Sequence, residues 1–163
     1  MTNLKKYKMF IDGDWVESES GKTFKTLNPE NNEPWAEVPE ASEKDINIAV
    51  NAAQKAFEGN WPKLFPRERA RYLKAIAEQL RENAELLGKI ETIDTGKLFK
   101  ETKTQANYIA EYYDYYAGLA DKVEGTVLPI DKANMQVITT RVPIGVVAAI
   151  IPWNSQMLLT AVK

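Results

Sequence analysis

Residues 144–151, Ile-Gly-Val-Val-Ala-Ala-Ile-Ile, form an uncharged run rich in β-branched side chains, and Pro152 closes it. The length and composition are those of a strand buried on both faces in a parallel sheet, and proline ends the run because it lacks a backbone donor. Such a strand needs covering layers, and it also fixes where chemistry belongs. In open α/β sheets ligands gather in the crevice beyond the carboxyl ends of the strands, which puts Trp153 and Asn154 where a ligand is handled. Asn154 has two readings. Its amide offers two N–H donors and no charge, which suits a developing oxyanion and leaves the pKa of a neighbouring nucleophile undisturbed. Asparagine also caps helices that follow strands, and on the residues alone the cap is the better-supported reading.

The chain before this run supplies helices and short strands. Lys8-Met-Phe-Ile-Asp-Gly-Asp-Trp-Val16 predicts a hairpin around Asp12-Gly13. Gly21-Lys22-Thr23 lacks the upstream glycine of a phosphate-binding loop, since Val16 stands there, and reads as a polar loop. Asn28-Pro-Glu-Asn-Asn-Glu-Pro34 is turn-rich, and residues 35–38 resume a strand. Ser42-Glu-Lys-Asp45 has the form of a capping box and opens a helix with Ile46, Ala49, Val50, Ala53 and Phe57 on one stripe, ended by Gly59. Pro66 starts a second helix, with Leu73, Ile76, Ala77 and Leu80 facing inward until Asn83. A third carries Leu86, Leu87, Ile90 and Ile93 and closes at Gly96. A long helix is expected over 101–122, burying Ile109, Tyr113, Tyr116 and Ala120 on one face. Its five tyrosines suit core and subunit packing; too few basic residues accompany them to hold a phosphate backbone. Beyond Gly125, a turn at Asp131-Lys-Ala-Asn134 and an alternating stretch over 135–142 predict a two-stranded arm. Ser155-Gln-Met-Leu-Leu-Thr-Ala-Val-Lys163 has the apolar content of a helix just beginning, so the chain is expected to be a portion of a longer one.

Charge and composition exclude several functions. Of the 163 residues 27% are charged, the net charge is −2, and Lys and Arg alternate with Asp and Glu, so no basic face for nucleic acid or anionic lipid stands out. No run of about 18 apolar residues exists, which argues against a membrane span, and the chain reads as cytoplasmic. It has neither cysteine nor histidine, as its sequence shows. That removes disulfides, thiolate–zinc sites, imidazole bases and Ser-His-Asp triads, and no metal site is expected. No glycine-rich strand-to-helix turn is present, which disfavours a complete nucleotide-binding domain.

Five segments, in order and at plausible spacing, resemble the NAD(P)-dependent aldehyde dehydrogenase superfamily. They are Phe10-Ile-Asp-Gly-Asp-Trp15, Asn28-Pro29, Asp94-Thr-Gly-Lys97, Tyr116-Ala-Gly-Leu-Ala-Asp-Lys-Val-Glu-Gly125 and Pro143-Ile-Gly-Val-Val-Ala-Ala-Ile-Ile-Pro-Trp-Asn154. The resemblance implies an α/β chain forming the N-terminal part of a Rossmann-like fold. Residues 1–125 would be the hairpin and helical part of the cofactor-binding domain, 126–142 an oligomerisation arm, and 143–163 the first strand and the start of the first helix of the core. It also implies an enzyme that oxidises an aldehyde to a carboxylic acid with NAD or NADP through a cysteine thiohemiacetal, with a glutamate aiding hydrolysis. Neither that cysteine nor that glutamate lies in this chain, which alone is expected to be inactive and to bind no cofactor. By resemblance Asn154 donates to the oxyanion, and Ile150, Ile151, Pro152 and Trp153 border the nicotinamide and its ribose. Leu158, Leu159 and Val162 would line the substrate tunnel, and a homo-oligomer, dimer or tetramer, would form through 126–142. Family members often carry Phe-Pro after the asparagine, where this chain has Ser155-Gln156, so the tunnel's shape differs. The competing reading is a non-enzymatic, α-rich oligomerisation or interaction module.

Overall fold

The computed structural model describes residues 4–163. Strands β1 (Lys5–Lys6), β4 (Thr23–Asn28) and β5 (Glu33–Pro39) form a sheet of order β1-β5-β4, with β1 parallel and β4 antiparallel to β5. Strands β2 (Met9–Ile11) and β3 (Asp14–Val16) pair as the expected hairpin, Phe10 opposite Trp15. Asp12 and Gly13 take positive φ, 53° and 90°, as a two-residue turn requires when its twist must match that of the strands. Central β5 tolerates Pro34 and Pro39 because β1 covers only Ala36 and Glu37. Strand β4 fills the stretch between the polar loop expected at 21–23 and the turns expected at 28–34, and takes in Thr23 and Asn28 from them. A bulge between Thr26 and Leu27 shifts the register there, so Phe24 and Leu27 do not show the period-two spacing by which strands are recognised.

Helix α1 (Glu43–Glu58) begins with the predicted capping box: Ser42 Oγ accepts from the Asp45 N–H, and the Asp45 carboxylate accepts from the Ser42 N–H at 2.7 Å. It ends at Gly59, whose φ of −84° is not left-handed; a Cβ there would sit 2.9 Å from the Lys55 carbonyl oxygen. A 3-10 turn (Trp61–Lys63) leads to α2 (Pro66–Glu82), α3 (Ala84–Thr95) and α4 (Phe99–Leu119). Asn83 separates α2 from α3, and Gly96, at φ 75°, stops α3 in the left-handed conformation that glycine adopts without penalty.

The core lies where α4 crosses α2 and α3. Ala77, Ala84, Ala106, Ile109, Ala110 and Ala117 are buried there, and the small alanines let the helix backbones approach closely. The approach is tightest at Gly88, where a Cβ would lie 2.9 Å from Lys103 Cα and N. Fully buried Thr102 stitches the crossing: its hydroxyl lies 2.9 Å from the Gly88 carbonyl and 2.9 Å from Thr92 Oγ1.

Three expectations fail here. The buried face of α4 runs through Thr102, Ala106, Ile109, Ala110 and Ala117, while Tyr116 stays 45% exposed at its edge. The helix also stops at Leu119, short of 122. Residues 144–151 form no strand: Ile144 is 94% and Ile150 90% exposed. An apolar strand is held by ladder bonds to neighbours on both sides, and no other segment among the described residues pairs with it. The arm is present as β6 (Val127–Leu128) paired with β7 (Val137–Ile138). Helix α5 (Gln156–Ala161) then packs back against α4. No helix among the described residues is long and apolar enough to cross a membrane.

Candidate functional site

Two of the motifs singled out in the sequence meet in space. The left-handed Gly96 brings Asp94-Thr-Gly-Lys97 against Asn28-Pro29, so closely that a Cβ on Gly96 would touch Pro29 Cγ at 3.0 Å. Within that turn the Gly96 N–H bonds the Thr92 carbonyl at 2.9 Å and the Thr95 hydroxyl donates to the Glu91 carbonyl at 2.6 Å. The end of α3 is thereby rigid, and it presents Glu91, Asp94 and Lys97 on one side.

Asp94 and Lys97 reach the segment that follows Asn154, and Glu91 pairs with Lys97. The Asp94 carboxylate accepts from Thr26 Oγ1 at 2.7 Å with one oxygen and from Gln156 Nε2 at 2.9 Å with the other, joining β4 to the start of α5. Lys97 Nζ donates to Glu91 Oε1 at 3.1 Å and to Ser155 Oγ at 2.7 Å. The Glu91 side chain is 3% exposed and that of Lys97 28%, so the pair is poorly screened, and an uncompensated Glu91 would be costly. Beside it lies a cavity of about 380 Å³ between the sheet and α3, lined by apolar Phe24, Trp35, Val38, Leu87 and Ile90 together with Glu91 and Asp94. Tyr7 OH, Trp35 Nε1 and Glu91 Oε2 are buried with no hydrogen-bond partner among the described residues.

The expected site residues lie on either side of Ser155 and Gln156 along the chain. Ile151 is half-buried, and Ile150, Pro152, Trp153 and Asn154 are exposed, Trp153 at 75%. Leu158 and Leu159 are half-buried on α5, and Val162, just past its end, is 41% exposed. The position preceding α5 is held by Ser155, not Asn154, and no side-chain cap bond forms there. Asn154 makes no side-chain hydrogen bond among the described residues, so its amide is free to meet a ligand. The spacing of residues carries no hint of the Glu91–Lys97–Ser155 and Asp94–Gln156 links. Asp94-Thr-Gly-Lys97 and Ser155-Gln156 each stand out as motif and departure, yet their contact spans about sixty residues and is made only by the fold.

The sequence profile of the aldehyde dehydrogenase family matches residues 15–163. Among curated relatives, a (Z)-2-((N-methylformamido)methylene)-5-hydroxybutyrolactone dehydrogenase of Acinetobacter baylyi is 44% identical over 98% of this chain and 33% of its own length. The mitochondrial aldehyde dehydrogenase family 2 member B4 of Arabidopsis thaliana is 44% identical over 96% of this chain and 29% of its own. Among solved structures, an aldehyde dehydrogenase from Bacillus cereus superposes with a TM-score of 0.92 at 38% identity, covering 98% of this chain and 33% of that one. A 3,6-anhydro-L-galactose dehydrogenase solved in complex with NAP gives 0.89 at 29% identity, covering 98% and 33%. The chain thus spans about a third of the length of these proteins, and its fold is that of their matching portion.

Proposed function

Because the chain belongs to the aldehyde dehydrogenase family, we propose that it supplies the N-terminal third of a cytoplasmic, NAD(P)-dependent enzyme oxidising an aldehyde to a carboxylic acid. When bound, NAD or NADP would supply the hydride acceptor for that oxidation. The residues at hand suit its border and not its phosphates: Ile150 and Trp153 leave flat apolar surface uncovered, while no glycine-rich turn is present to cradle a pyrophosphate. Ile150, Ile151, Pro152 and Trp153 would flank the nicotinamide and its ribose. Leu158, Leu159 and Val162 would line the aldehyde's entry.

The role of Asn154 follows from charge. When a thiolate supplied from beyond this chain adds to the aldehyde carbonyl, the carbonyl oxygen becomes an alkoxide. Two neutral N–H donors of Asn154 then stabilise it without lowering the reactivity of the thiolate. The observation that carries this reading is the free amide of Asn154, two residues past Pro152, with the helix-capping position occupied by Ser155 instead. The arm formed by β6 and β7 pairs with a neighbouring subunit, since two strands of two residues each cannot stand alone in water. The interaction-module alternative has no observation in its favour.

The test is a pair of substitutions in the complete enzyme. Asn154→Ala lowers turnover by on the order of 10²–10³, about 3–4 kcal/mol, with little change in cofactor affinity. Asn154→Asp is worse, because a carboxylate repels both thiolate and oxyanion. An active Asp variant ends the assignment.

A further inference from the structure

The residues that follow Asn154 are fastened to the end of α3 at two points, and neither belongs to the reaction as described above. Lys97 Nζ donates to Ser155 Oγ at 2.7 Å while its charge is balanced by the buried Glu91 at 3.1 Å, and Gln156 Nε2 donates to Asp94 at 2.9 Å. Among the described residues the Asn154 side chain has no bond of its own to direct it. The side-chain bonds nearest to it are those of Ser155 and Gln156, on its C-terminal side. The fastening points are also rigid. The Thr95 and Gly96 bonds lock the α3 terminus, and Thr26 holds Asp94 from β4.

From this we infer that Lys97 and Ser155, backed by Glu91 and by the Asp94–Gln156 bond, are positioning residues for Asn154; the inference rests on the oxyanion reading. A phenylalanine and a proline at 155 and 156 would offer no side-chain hydrogen bond to either Lys97 or Asp94, so this tether is a property of the Ser-Gln pair. An oxyanion donor contributes only when it is held in place before the charge develops, and displacing a positioned group by about 1 Å can cost on the order of 10²-fold in rate. Losing one of two tethers costs less, about tenfold in kcat.

The test is a double-mutant cycle in the complete enzyme, reading kcat, the KM values for aldehyde and cofactor, and melting temperature. Ser155→Ala leaves the Glu91–Lys97 pair intact and removes only the hydroxyl; it lowers kcat about tenfold with both KM values and the melting temperature unchanged. Ser155→Thr keeps the acceptor and keeps the rate. In an Asn154→Ala background, Ser155→Ala has no further effect, because the group it positions is gone. Wild-type kcat in Ser155→Ala overturns the inference, as does a tenfold loss that persists in full beside Asn154→Ala, or a loss that tracks a fall in melting temperature. If Asn154→Ala alone is fully active, the oxyanion reading fails and the inference falls with it; a slow Asn154→Ala beside a fast Ser155→Ala refutes the tether only.

Discussion

Two glycines inside helices make opposite predictions from the same chemistry. Replacing a mid-helix glycine by alanine removes backbone freedom from the unfolded chain and is favourable by about 1 kcal/mol wherever the methyl has room. Gly118, on α4, has that room: nothing lies within 4 Å of a Cβ built there. Gly88, on α3, does not, because its Cβ would sit 2.9 Å from Lys103 Cα and N, inside the ~3.5–4.0 Å of ordinary carbon contacts. Both blocking atoms are backbone, so α3 and α4 must separate by roughly 0.6–1 Å, and overpacking of this kind costs about 1–3 kcal/mol. Separation also stretches the Thr102 bond to the Gly88 carbonyl, now 2.9 Å, inside a fully buried crossing, at about 1 kcal/mol more. Against the gain in helix propensity, Gly88→Ala is destabilising by about 1–3 kcal/mol, while Gly118→Ala is neutral or stabilising by up to about 1. The assay is urea unfolding followed by far-ultraviolet circular dichroism, in a background carrying Ile144→Lys and Ile150→Lys to remove the exposed apolar run. At a slope near 2 kcal/mol per molar, Gly88→Ala lowers the midpoint by about 1 M. A Gly88→Ala midpoint equal to or above that of Gly118→Ala refutes the close crossing of α3 and α4 as the reason for glycine.

Chain 1–163 alone should form no NADH from aldehyde and NAD(P)+, since it has no cysteine; NADH formation above a no-protein control would refute the division of labour proposed above. The same chain should self-associate through Ile144, Val147 and Ile150, which are 94%, 69% and 90% exposed, and light scattering should show the Ile144→Lys, Ile150→Lys variant to be monomeric; a monomeric parent would contradict this. Backbone N–H groups of Glu19 and Ser42, with the hydroxyls of Ser18 and Ser42, hold the Asp45 carboxyl far below the usual carboxylate range. A depressed folded-state value stabilises fully above the unfolded value near pH 4 and is lost as pH falls through the folded one, so the melting temperature should drop on acidification below about pH 4. Asp45→Asn should be less stable at pH 7 and show a shallower acid slope; an unchanged slope would remove Asp45 from the account.

Much of the local structure was legible in order along the chain, because its signals are short-range. Asp12-Gly13, Ser42 with Asp45, Pro66, Asn83 and Gly96 each act through bonds to residues within a few positions, and each element begins or ends where such chemistry demands. The motif residues Asn28-Pro29, Asp94 to Lys97 and Asn154 were legible too, as residue types in a recurring order. What sequence could not decide is everything that depends on which surfaces meet. Strand β4 hid its alternation behind a bulge, and which face of α4 is buried was settled by the small residues of α2 and α3 that it crosses, displacing Tyr116 to the edge. The run 144–151 carries every residue-level mark of a buried strand, yet burial is a property of neighbours, and with no ladder partner among the described residues it forms no strand and stays largely exposed. The link from Lys97 to Ser155 belongs to the same class: two side chains about sixty positions apart acquire a relation only when the turn at Gly96 aims one at the other.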